Sequence, residues 1–324
     1  MRIGHAVDTT ILTGTTAILF DEPAIVAADI RGGGPGTRDV TLLEPENTVE
    51  RVDALFLSGG SAFGLDAGGG VQAWLAENGR GFPLGPVRVP LVPGAILFDL
   101  LSGQNNGKRA DYRTLGYDAA ASAEASPTLQ GSVGAGIGAT TATLRGGLGT
   151  ASRTTDYGHR IAALAVVNAV GSATMGASRY FWAAPYENSN EFGGQGWPAE
   201  MPEFALEPQM KGAPRPTSGQ ATTLCVVATD AALTVNSTKR LAMMAQDGMA
   251  RALRPVHTPL DGDIVFAAST GAAPLAPDPA AHHHGLAILG SAAADCVARA
   301  IARGVYEAST DGQAILPAYK ARFG

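Results

Sequence analysis

The chain has 324 residues, 45% of them hydrophobic and 16% charged, enough for a substantial core and well away from the disordered class. Its formal net charge is -6 and it has no basic cluster, so neither nucleic acid nor an anionic membrane surface is an expected partner, and a small-molecule substrate fits better. The opening Met-Arg-Ile-Gly-His has no h-region, and Asp21, Glu22 and Pro23 interrupt the first apolar stretch, so the sequence predicts neither export nor membrane spanning and places the chain in the cytoplasm.

Strand-like runs recur at 15–20, 25–30, 54–58, 87–91, 96–99, 162–170, 223–228 and 264–269. Several are apolar on both faces, which predicts a sheet covered on both sides. Helical patterns fall at 65–77, with Ser61 ahead of it as a candidate N-cap, and at 118–125, 235–254 and 286–306. Strands precede helices in both halves without a regular βαβα alternation, which favours a layered α+β architecture in a single domain. Glycine is abundant, with 42 residues in clusters such as 32–34, 59–60 and 68–70 that mark tight turns or close approaches. Cys225 and Cys296 sit in apolar surroundings without metal-ligand spacing and read as reduced core thiols.

Between 181 and 219 the composition changes, with six prolines among Glu, Asn and Gly, which predicts a long irregular segment. It ends just before Ala221, Thr222 and Thr223, where an apolar run begins. Two readings are open. Thr-Thr before Val-rich sequence is ordinary strand composition. Alternatively, a bond cut between Ala221 and Thr222 makes Thr222 an N-terminal residue whose α-amine, with a pKa of ~8, acts as base for its own hydroxyl.

Other chemistry-bearing patterns are weaker. Gly59-Gly-Ser-Ala-Phe-Gly misses the final glycine of a nucleophile elbow, leaving Ser61 as a helix opener whose loop could line a cleft. Gly134-Ala-Gly-Ile-Gly-Ala lacks dinucleotide-binding spacing. His282, His283 and His284 read as an exposed loop rather than a metal site, because three consecutive side chains do not converge on one ion. His5 and His257 read as satisfied buried histidines. Asp261-Gly-Asp263 between apolar runs could be a hairpin turn or an acidic pair.

Seven segments, taken in order, resemble the DmpA-type aminopeptidases, which include L-aminopeptidase/D-esterases, β-aminopeptidases and nylon-oligomer hydrolases. They are Thr13-Gly-Thr-Thr, Arg31-Gly-Gly-Gly-Pro-Gly-Thr-Arg, Leu57-Ser-Gly-Gly-Ser-Ala-Phe-Gly-Leu-Asp-Ala, Gly131-Ser-Val-Gly-Ala-Gly-Ile-Gly-Ala-Thr, Val166-Val-Asn-Ala-Val-Gly, Thr222-Thr-Leu-Cys-Val-Val-Ala-Thr-Asp and Arg254-Pro-Val-His-Thr-Pro-Leu-Asp-Gly-Asp. The resemblance implies a four-layer αββα sandwich, a precursor that cuts itself into 1–221 and 222–324, and assembly as a homotetramer. It implies Thr222 as nucleophile, Asn168 as a donor to the oxyanion, and Asp261 and Asp263 as the acidic pair beside the α-amine. It implies hydrolysis of amides or esters of small amino-acid-like or peptide-like substrates, with no metal or organic cofactor. Phe98, Ser61, Gly134 and Thr143 are candidate substrate-pocket residues. Two departures bear on processing: Phe98 stands where several relatives have tyrosine, and Thr143 where many have lysine. An acyltransferase of the ornithine acetyltransferase type, which passes the acyl group to an amine rather than water, and an unprocessed relative acting as a binding module are the alternatives.

Overall fold

The computed structural model describes residues 1–102, 108–125, 129–212, 221–276, 278–309 and 314–324. In chain order the strands are β1 (Arg2–Asp8), β2 (Thr13–Ile30), β3 (Gly36–Arg38), β4 (Arg51–Ser58), β5 (Phe82–Leu84), β6 (Val87–Val89), β7 (Gly94–Ile96), β8 (Leu148–Thr154), β9 (Arg160–Asn168), β10 (Thr222–Ala232) and β11 (Ile264–Pro274). The helices are α1 (Ala67–Glu77), α2 (Tyr112–Ala121), α3 (Val235–Ala252), α4 (His282–Tyr306) and the short α5 (Tyr319–Phe323).

One continuous sheet runs β3-β7-β4-β2-β11-β10-β9-β8, with β1 added to β2, and β5 and β6 form a separate hairpin. Most neighbours are antiparallel; β10 with β11 and β4 with β7 are parallel. The 18-residue β2 joins the two halves. Its first part pairs with β1 and with Ser58 to Ala54 of β4, and its last part pairs with β11. The register shifts between Leu19 and Ala24, where Asp21, Glu22 and Pro23 are exposed. The runs 15–20 and 25–30 are therefore one strand: the polar break bulges outward without ending it.

Alternation along the strands sorts the side chains into three cores. Ile18, Leu55, Leu57, Leu224, Val226, Ile264 and Phe266 share a middle core between the sheet halves. Their chain neighbours Cys225, Val227, Val265 and Ala267 turn the other way, onto Leu241, Ala245 and Val297 of α3 and α4. Ala54 and Phe56 turn onto Val71, Leu75 and Leu115 of α1 and α2. Three cores separate four layers, helices, half-sheet, half-sheet, helices, which is the expected αββα arrangement. Burying each such Leu, Ile or Phe contributes roughly 1.5–3 kcal/mol. The α4 helix is apolar enough by composition to cross a membrane, but 78% of its apolar window is buried inside the fold, against α3, β8 and β9.

Several expectations need correction. The 118–125 helix lies earlier, at Tyr112–Ala121, where the Asp111 carboxylate accepts from Thr114 N and caps the first turn. Ser61 is no helix cap: it opens a 3-10 turn with its own φ at 51°, and α1 starts after that turn. His282, His283 and His284 are the first residues of α4, not a loop. The 96–99 run is strand only to Ile96, so Phe98 and Asp99 lie just beyond β7. Asp261-Gly-Asp263 is not a hairpin turn, because the strand that follows runs parallel to β10 and is reached through α3.

Candidate active site around Thr222

Thr222 is the first residue of β10 and only 3% exposed. It pairs with Asn168, the last residue of β9. Ala221, fully buried, makes a parallel bridge to Asp261. The Thr222 hydroxyl donates to the Ala221 carbonyl oxygen at 2.5 Å, and Gly262 N donates to the same oxygen at 2.9 Å. The nucleophile candidate thus sits against the carbonyl of the bond that precedes it, and that carbonyl is already polarised by a backbone N–H. Such preorganised donors stabilise an oxyanion because they need no rearrangement when charge develops. Residues 213–220, the end of the long segment before Ala221, lie outside the described residues.

Gly262 has to be glycine. A Cβ there would lie 2.6 Å from Thr222 Oγ1 and 2.8 Å from the Gly34 carbonyl oxygen. The glycines after β2 serve the same turn: Gly34 N donates to the Asp261 carbonyl at 2.8 Å, and a Cβ on Gly32 would meet Asp263 N at 2.3 Å. The Arg31-Gly-Gly-Gly motif therefore buttresses the Asp261–Asp263 turn by close backbone approach.

Both aspartates are buried, and both carboxylates are fully engaged. Asp261 Oδ1 accepts from Val170 N at 3.0 Å, and its Oδ2 accepts from Thr258 N and Thr258 Oγ1. Burial, and then the neighbouring Asp263, push the Asp261 carboxyl above its ordinary range. Asp263 Oδ1 accepts from Thr223 N at 2.8 Å, one residue beyond the nucleophile, while Oδ2 takes His257 N and lies 3.0 Å from His257 Nδ1. Asp261 thus ties the end of β9 to the turn, and Asp263 ties the turn to β10. Together they fix the two backbones that flank Thr222.

On the other side, Asn168 is fully buried. Its Oδ1 accepts from Thr140 N at 3.1 Å and from Lys211 Nζ at 2.8 Å, and its Nδ2 donates to the Phe98 carbonyl at 3.0 Å. Two donors on one side and a carbonyl on the other settle which end of the amide is oxygen. Phe98 therefore touches the site through its backbone. Lys211, from the irregular segment, was not singled out by the sequence, since nothing periodic or motif-like connects it to Asn168. Burial pulls its ammonium down to about 7, opposed by the charges of Asp261 and Asp99. Asp99 is itself buried and pushed up to about 6, although Thr13 Oγ1 and Gly60 N each donate to it at 2.7 Å. A cleft of about 250 Å³ opens beside these groups, lined by Phe98, Leu101, Thr140, Ala142, Lys211 and Leu316 among others.

The remaining candidates are placed as follows. Ser61 N donates to the Leu97 carbonyl, beside the Asp99 cluster. Gly134, with φ at +50°, packs on Thr16 and His5. His5 is held at 3.0 Å from Thr16 Oγ1, and burial lowers its pKa to about 4. Thr143 offers its carbonyl to Arg322 at 3.5 Å, beside α5, and is not part of the cleft lining. Among the described residues no group of three or more His, Cys, Asp and Glu is placed to hold a metal ion.

The layered architecture is that of the N-terminal-nucleophile hydrolase fold. The family model for peptidase family S58 matches residues 1–314, and the chain belongs to that family. An uncharacterized aminopeptidase of Mycobacterium tuberculosis is 43% identical over 317 residues, covering 96% of this chain and 90% of that protein. A 6-aminohexanoate-oligomer endohydrolase of a Kocuria species is 28% identical over 264 residues, covering 80% of this chain and 69% of that protein. Among solved structures, a Burkholderia β-aminopeptidase superposes with a TM-score of 0.70 at 21% identity, covering 99% of this chain and 89% of that one. The L-aminopeptidase D-Ala-esterase/amidase of Ochrobactrum anthropi gives 0.66 at 19% identity with the same coverages. The chain is accordingly an enzyme of amide-bond hydrolysis that acts on peptide-like substrates.

Proposed function

We propose that the chain cuts itself between Ala221 and Thr222 and that the freed Thr222 is the nucleophile of an aminopeptidase or amidase for small substrates. The Thr222 oxygen attacks the Ala221 carbonyl carbon, the C–N bond breaks, and the hydroxyl proton ends on the departing nitrogen. Water then hydrolyses the resulting ester, leaving a carboxylate on Ala221 and a free amine and hydroxyl on Thr222. In turnover the same oxygen, with the α-amine as its base, attacks the substrate carbonyl. The substrate C–N bond breaks, and the amine leaves carrying the proton that the α-amine took. Water then hydrolyses the ester to release the acid and restore the hydroxyl. Asn168 helps hold the oxyanion. Asp261 and Asp263 keep the flanking backbones in place and set the field around the amine.

The observation that carries this reading is the Ala221 carbonyl, which receives both the Thr222 hydroxyl and Gly262 N. The aminopeptidase and amidase names of the relatives support amides of amino acids or short peptides as substrates, and self-cleavage leaves chains of 1–221 and 222–324. A homotetramer in the cytoplasm completes the proposal, to be checked by light scattering and fractionation. The principal test is intact mass of two variants. Thr222→Ala stays one full-length species without turnover, whereas Thr222→Ser, which keeps a hydroxyl, is cut at the same bond. Normal cleavage of Thr222→Ala removes Thr222 from the mechanism.

A further inference from the structure

Lys211 has an environment that a structural lysine does not need. Its backbone N donates to the Val170 carbonyl at 2.8 Å, pinning the irregular segment beside the end of β9. From there Nζ reaches Asn168 twice, at 2.8 Å to Oδ1 and 3.2 Å to the backbone oxygen. Among the described residues it makes no ion pair. The carboxylates of Asp261 and Asp99 act on it at longer range, one on each side of the site. A buried ammonium held by an amide rather than by a carboxylate keeps its field directed at that amide.

The geometry points to Lys211 as the positioning residue of the oxyanion side: its ammonium locks the Asn168 amide opposite Thr222 and polarises it toward developing negative charge. This rests on the reading of Thr222 as nucleophile. Without the ammonium, Oδ1 loses its shorter, charge-assisted contact, and the amide is held less firmly between Thr140 N and the Phe98 carbonyl. Asn168 is also the residue paired with Thr222, so any loosening is felt at the reacting atoms. The cation comes from the chain segment that leads to the scissile bond, on the opposite side of Asn168 from Phe98.

With burial pulling its pKa to about 7, the ammonium is half charged at that pH, and its help is lost as pH rises through it. The test uses the native enzyme with Lys211→Met and Lys211→Arg, assayed on an amino-acid p-nitroanilide across pH 5 to 10 with kcat and KM separated. Native kcat falls on the alkaline side near 7. Lys211→Arg, whose guanidinium stays charged, loses that limb, and Lys211→Met lowers kcat on the order of 100-fold with a smaller change in KM. If Lys211→Met does not fold, Lys211→Arg decides the matter alone: an unchanged alkaline limb overturns the inference. So does a Lys211→Met enzyme with native kcat. In both cases a second N-terminus at Thr222 shows that the nucleophile reading stands regardless, and its absence from active native enzyme sinks that reading instead.

Discussion

The two sides of Thr222 are built from different materials. On the scissile side, apart from the Thr222 hydroxyl itself, the Ala221 carbonyl is held by the Gly262 backbone N, and the strand register fixes β10. On the Asn168 side, Lys211 and Asn168 contribute side chains, and Thr140 and Phe98 contribute backbone groups. Backbone donors do not titrate and cannot be removed by ordinary substitution. An ammonium can be neutralised or replaced. The contact on the scissile carbonyl should therefore be intolerant of added volume, and the Asn168 side sensitive to the charge of Lys211.

The largest effect tests intolerance of volume. Gly262→Ala puts a methyl group against Thr222 Oγ1 and the Gly34 carbonyl, and self-cleavage should slow on the order of 100-fold or more. Pulse-chase gels measure this, with circular dichroism confirming the fold; cleavage at native rate breaks the comparison. Asp263→Asn comes next. It sets an amide N–H₂ against donors from Thr223 or His257, and the lost acceptor costs ~1–3 kcal/mol in chemical denaturation. An unchanged midpoint contradicts the proposed tie between turn and strand.

Titration can be checked apart from activity through Asp99. Its folded pKa of about 6 lies above the ordinary 3.8, so the fold binds this proton more tightly than the unfolded chain does. Its contribution is favourable at low pH and declines as pH rises from 4 to 6, by about 3 kcal/mol in total. The stability difference between native and Asp99→Asn should change across that window and be flat above it. A difference that is flat throughout removes the buried charge. The smallest effect is Thr143→Lys. Because Thr143 faces Arg322 while Lys211 already contacts Asn168, cleavage should change by no more than roughly twofold, the reach of an ordinary surface change. A large acceleration reopens Thr143 as the missing cation.

What was legible in the sequence follows from how each part is encoded. The β10, β9 and β11 runs are apolar on both faces because each lies between two cores, and both α3 and α4 show their helical pattern. The strand β8 was missed: Leu-Gly-Thr-Ala-Ser-Arg-Thr ends in exposed polar residues and lies at the sheet edge, where alternation is weak. The continuity of β2 was hidden because a Glu-Pro bulge looks like a turn in one dimension. Thr222 and Asn168 at strand ends, and Asp261 and Asp263 in the turn before β11, were singled out through the family-like segments that contain them. Gly262 N and Lys211 Nζ were not. One is a backbone group with no side-chain signature, and the other belongs to a proline-rich stretch whose path is set only by tertiary contacts.

The most direct measurement is covalent trapping. Active enzyme quenched with a slowly hydrolysed ester substrate, digested and sequenced by mass spectrometry, should carry the acyl group on a peptide whose first residue is Thr222. An adduct on another residue, or on a peptide still joined to Ala221, contradicts the account.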